Sequence, residues 1–184
     1  MDTKLMIVLI VVAAAAVLVA LLFYTRRHRS MLLRDRFGPE YEKTVRESGS
    51  TGRAEAELEK RVQRVERLHL RPLPHSARRQ YLARWMEIQR RFVDDPQGAV
   101  CFADDLITEV MGAEGYPMVD FEQRAADISV DHPLMVSNYR VAHEVTVRQR
   151  GEGASTEELR KAIVHYRFLF EQLVESEAES REVA

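Results

Sequence analysis

The sequence predicts an all-α protein: a single N-terminal transmembrane helix followed by a helical-bundle domain of about six helices. Three observations lead there. Glycine (8) and proline (6) are scarce while charged residues make up 30%, a balance that suits long amphipathic helices. Apolar residues recur at steps of three and four over most of the chain, and no segment alternates with period two. The stretch LMIVLIVVAAAAVLVALLFY, Leu5 to Tyr24, runs for twenty residues without a charge.

That stretch, preceded by a short N-terminus at 1–4, reads as a membrane span, because a helix of that length reaches roughly 30 Å. Phe23 and Tyr24 fall where an interfacial aromatic belt belongs. The apolar run continues well past the small-residue site at Ala14 and Ala16, which argues against a cleaved signal peptide. Residues 25–37 form a basic juxtamembrane segment with Arg26, Arg27, Arg29, Arg34 and Arg36. Positive residues stay on the cytoplasmic side, so the N-terminus is expected outside and the domain in the cytoplasm, on a bacterial plasma membrane. The expected partners are the lipid bilayer, anionic head groups held by Arg26, Arg27 and Arg29, and an unidentified protein. Ala16 and Ala20 form a small-xxx-small pair of the sort found in helix dimers.

The helical domain is placed at 38–175, with a flexible break near 48–52 (SGSTG) and an acidic disordered tail at 176–184. Gly38-Pro39 opens its first helix. Leu58, Val62, Val65 and Leu68 draw a narrow apolar stripe on the next, fit for one partner or for self-association in a homodimer. After Pro72 and Pro74, Tyr81, Trp85, Ile88 and Phe92 mark the most amphipathic helix, expected to form the core with Leu159, Ile163, Tyr166 and Phe170. Asp95 is an N-cap before Pro96, and Val100, Ala103, Leu106, Ile107, Val110 and Met111 lead to a stop at Gly112 or Gly115. DFEQRAADISVDHP, Asp120 to Pro133, reads as an elbow: a helix over 121–129, His132 as N-cap and Pro133 as the first residue of another. Ser155 with Glu158 makes a capping box for the last helix.

Net charge is −2, but residues 26–91 carry 18 basic against 9 acidic side chains and residues 92–184 carry 8 against 19. The two halves are therefore expected to attract each other within one bundle, or the basic half to face an anionic surface. The basic face with Arg78, Arg79, Arg90 and Arg91, and the loop Gly115–Pro117, are the expected partner contacts. An acidic domain without a basic recognition fold argues against nucleic acid.

No catalytic motif is present, and neither a metal nor a cofactor is expected. There is no Walker loop, no dinucleotide-binding glycine pattern and no nucleophile elbow. Glu66 and His69 give a single Glu-x-x-His pair where a di-iron bundle needs two. The single cysteine, Cys101, reads as a buried apolar residue. Asp94/Asp95 and Asp104/Asp105 read as a cap and a solvated face. The expectation is thus a non-enzymatic, membrane-tethered, partner-binding domain. The alternatives are an enzyme with a site around Asp131, His132 and His143, and a self-associating structural membrane protein.

The segments RFGPEY, RFVDDP, VMGAEGYP, DFEQRAADISVDHP, YRVAH and HYRFLFEQL are specific in order and spacing. In these the chain resembles a family of short bacterial proteins with one N-terminal membrane helix and a helical domain, a family with no established activity. The resemblance implies that architecture and no catalytic residue.

Overall fold

The structure, a computed structural model, describes the backbone of residues 3–182 and the side chains of residues 12–21, 23–25 and 27–174. Among the described residues there are eight helices and no strand: α1 (Thr3–Phe37), α2 (Pro39–Ser48), α3 (Thr51–Val65), α4 (His75–Asp94), α5 (Pro96–Glu114), α6 (Phe121–Asp131), α7 (Pro133–Gly151) and α8 (Thr156–Glu182). Seven helices follow α1 rather than about six, the short α2 and α6 standing where the sequence placed helices after Gly38-Pro39 and over 121–129. The expected tail at 176–184 lies outside the described side chains.

The membrane reading is corrected. Among the described residues no helix is long and apolar enough to cross a membrane. The stretch Leu5–Tyr24 is not an element of its own: it is the first part of a 35-residue helix. That helix continues through Arg27, Arg29, Arg34 and Arg36 and buries Leu33 and Phe37 in the domain. Residues 5–11 and 22 of the expected span lie outside the described side chains, as does Arg26. The described apolar residues Val12, Val17, Leu18, Val19, Leu21, Phe23 and Tyr24 are exposed. The single-pass topology, the plasma-membrane location, the outside N-terminus and the bilayer and head-group contacts of Arg26, Arg27 and Arg29 thus have no spanning helix among the described residues to rest on. Arg29 pairs with Glu59 of α3 instead.

The elements form where the local chemistry places them. Asp95 accepts the Gly98 amide at 2.9 Å and caps α5, with Pro96 in its first turn. Asp120 does the same for α6 through Gln123, also at 2.9 Å. Ser155 and Glu158 close a reciprocal box at the start of α8: the Ser155 amide donates to Glu158 at 2.9 Å and the Glu158 amide donates back to Ser155 Oγ at 3.3 Å. His132 ends α6 and begins α7 at φ −131°, the extended geometry that a residue before proline favours. Gly115 ends α5 at φ 103°, where a Cβ would stand 3.0 Å from the His69 carbonyl oxygen, so both dihedral and space select glycine.

Two apolar clusters hold the fold. The larger joins α4, α5, α6, α7 and α8, and contains Trp85, Leu106, Ile107, Met111, Tyr139, Leu159, Tyr166 and Phe170, with Tyr81, Phe92 and Ile163 packed at its margin. Trp85 stacks on Phe170 with ring centroids 5.0 Å apart. The smaller cluster packs Leu33, Phe37, Tyr41, Leu58, Val65 and Val130, and so fixes the end of α1 to α2, α3 and α6. Here the Leu58–Leu68 stripe finds its partner inside the chain, which leaves Leu58 and Val65 unavailable for self-association. Ionic contacts join residues 26–91 to residues 92–184: Arg64 meets the fully buried Asp127 at 2.6 Å, and Arg84 grips Glu109 with both terminal nitrogens. The basic and acidic parts of the chain attract each other within one bundle.

Candidate functional site

α2, α6 and α7 enclose an open groove of about 830 Å³. Lys43 and Glu47 of α2 stand on one side, Phe121 and Glu122 of α6 on another, and Arg140, His143, Glu144, Val147, Arg148 and Gly151 of α7 along its length, with Glu152 just past the end of that helix. The helical period puts residues 140, 143, 144, 147, 148 and 151 on one face of α7, which is why one helix supplies most of the wall. The His143 ring lies flat on Phe121, centroids 3.7 Å apart and planes within 7°.

Behind the groove lies a buried polar network drawn from three helices. Asp104 of α5 is only 4% exposed. Its Oδ1 sits 3.0 Å from His143 Nδ1 and accepts the Tyr166 hydroxyl at 2.9 Å. Thr146 Oγ1 lies 2.8 Å from the same hydroxyl. Tyr166 has one hydroxyl hydrogen, donated to Asp104; the single Thr146 hydroxyl hydrogen is then shared between the Tyr166 oxygen and the Ala142 carbonyl at 3.1 Å. Burial, reinforced by the Asp104 charge, pushes the Tyr166 phenol far above its ordinary range and keeps it a donor. Arg150 reaches the other Asp104 oxygen at 3.6 Å and Asp105 at 2.9 Å. His143 is thereby held by a carboxylate on one side and an aromatic ring on its face, the pattern that orients an imidazole.

The cations of the groove are engaged within the protein. Lys43 pairs with Glu47 at 2.7 Å. Arg140 bridges the buried Glu40 at 3.2 Å and Glu122 at 2.5 Å. Arg148 pairs with Glu158 at 3.0 Å. Glu144 and Glu152 are exposed and have no cationic partner among the described residues.

The residues singled out from sequence fall in separate places. His143 lines the groove, whereas Asp131 and His132 line a hollow of about 200 Å³ with Leu70, Arg71, Pro72, Glu114 and Tyr116. His143 stands eleven positions after His132, the N-cap of α7, about 16 Å along that helix. Asp131 receives the Tyr116 hydroxyl at 3.5 Å and faces Arg36 at 3.9 Å. Burial pushes the His132 imidazole below its ordinary value, partly offset by Asp131. On α4, Arg90 and Arg91 are taken up by Glu87 and Asp95, while Arg78 is half-buried and Arg79 exposed. Cys101 is half-buried rather than buried.

Asp104, Thr146 and Tyr166 were not read as a site from sequence. The signal was present for Asp104: it stands four residues after Val100 and three before Ile107, in the middle of the apolar stripe of α5. A carboxylate there needs buried partners.

No family model matches the chain, and neither does any curated protein or solved structure. The resemblance to a family of short bacterial membrane proteins is corrected with that finding: no family model supports it, and its defining membrane helix is not found among the described residues.

Proposed function

We propose that the chain is a non-catalytic helical domain that binds a protein partner in the groove between α2, α6 and α7. One observation carries this reading: the groove is open, floored by Phe121, His143 and Val147, and its cations are used internally while two carboxylates are left over. Such a surface offers apolar contact and charge at once, as partner-binding faces do. The test is photo-crosslinking from a benzoylphenylalanine placed at Val147. Val164 on α8 is the control, because it is equally exposed, at 55%, and does not line the groove. A protein captured from Val147 and not from Val164 supports the reading; equal capture at both overturns it.

A second reading, proton transfer by His143, is favoured by the Asp104–His143 pair, since a carboxylate at Nδ1 orients an imidazole for base catalysis. Asp131 and His132 take no part in it. It requires a turnover of chromogenic esters or phosphate esters that His143→Gln abolishes. Equal rates for the two proteins would exclude it.

A further inference from the structure

We propose that the occupant of the groove is a basic segment of a protein partner, with two Lys or Arg side chains flanking an apolar one. This deepens the reading of the groove as a partner site and rests on it. Charge complementarity over an apolar floor selects such a segment. The groove wall holds three cations and four carboxylates. Lys43, Arg140 and Arg148 are neutralised by Glu47, Glu122 with Glu40, and Glu158. Two of the four wall carboxylates, Glu47 and Glu122, are consumed in those pairs, which leaves Glu144 and Glu152 to face a ligand. An acidic peptide or a nucleic-acid phosphate would meet these carboxylates and find no uncommitted Lys or Arg among the described residues that line the groove.

The spacing narrows the occupant further. Glu144 lies on α7 and Glu152 caps its C-terminal end eight residues later, about 12 Å farther along the helix axis. Two basic side chains span that distance when they are about four residues apart in an extended chain, at roughly 3.3 Å per residue. Between the carboxylates stands Val147, 55% exposed, beside the stacked Phe121 and His143 rings. An apolar side chain of the ligand would cover that valine while its neighbours reach the two carboxylates.

The experiment is fluorescence anisotropy on the full chain, with a fluorescein-labelled peptide of Arg, Leu and Ala and a counterpart in which Glu replaces Arg. The basic peptide is expected to bind saturably, and the acidic one not to bind. The double variant E144K/E152K should weaken binding about tenfold or more, and added salt should weaken wild-type binding. Both side chains are exposed, so the variant is expected to keep its fold, checked by circular dichroism. Equal binding of the two peptides, or unchanged affinity in E144K/E152K, overturns the proposal. The underlying reading fails separately. Selective capture from Val147 with no binding of the basic peptide keeps the partner site and removes the basic occupant; no selective capture and no peptide binding removes both.

Discussion

His143 Nδ1 lies 3.0 Å from Asp104 Oδ1, and that same oxygen accepts the hydroxyl of Tyr166 at 2.9 Å. One buried carboxylate therefore ties α5 to α7 and to α8. Asp104→Ala would strand two polar groups in a region where Tyr166 is fully buried, at a cost of about 3 kcal/mol. Tyr166→Phe removes only the hydroxyl, leaving Asp104 its contacts with His143 and Arg150, and should cost about 1–2 kcal/mol. Urea denaturation followed by the fluorescence of Trp85, the one tryptophan, measures both. A cost for Asp104→Ala no greater than for Tyr166→Phe would mean that the carboxylate is not the hub.

His132 gives the stability a pH dependence with a definite sign. Burial lowers its pKa from the ordinary 6.5, with Asp131 opposing the shift. A histidine held neutral in the fold binds fewer protons than it does unfolded, so its contribution is present above about pH 6.5 and is lost as pH falls through the lowered value. His132→Gln should flatten the decline in urea midpoint between neutral pH and about pH 5, while a decline of unchanged steepness would assign it to other groups.

What the sequence could and could not reveal follows from the range of the interactions. Caps and breakers act within a few residues. Asp95 with Pro96, His132 with Pro133 and Ser155 with Glu158 therefore placed the starts of α5, α7 and α8 correctly. The stripe through Trp85 and Ile88 named its own buried face. The groove was not legible, because α2 reaches α7 across about a hundred residues and no local pattern records that Glu40 lies against Arg140. Asp104 reads as solvated from sequence because its doublet with Asp105 looks like a charged surface, whereas the fold buries it. Only Asp105 is exposed, since adjacent helix residues point about 100° apart. The apolar stretch at Leu5–Tyr24 was read as a separate span because composition alone does not show that the same helix continues into the domain and ends against it at Phe37.

Glu40 and Glu109 make the last contrast, between a buried and an exposed ion pair. Glu40 is 3% exposed and accepts from Arg61 Nη1 and Arg140 Nη2, each at 3.2 Å, so it joins α2 to α3 and α7. Removing it leaves Arg61, itself buried, with only the half-exposed Glu57, and leaves Arg140 with only the exposed Glu122. Glu40→Ala should therefore cost about 3–5 kcal/mol, with little dependence on salt. Glu109 and Arg84 are each half exposed. The Arg84 hydrogen bonds hold the Glu109 carboxyl below its usual range, so that pair contributes at neutral pH and fades as pH falls through the lowered value. Solvent screening keeps Glu109→Ala below about 1 kcal/mol, and salt reduces it further. Urea denaturation of the two variants at low and high salt separates the cases. Because Lys43 and Glu47 ride on the same short helix as Glu40, its loss should also loosen one wall of the groove, and the basic peptide should bind Glu40→Ala more weakly even where that variant remains folded. Undiminished peptide binding by folded Glu40→Ala would show that α2 holds its place through Tyr41 and the smaller apolar cluster alone.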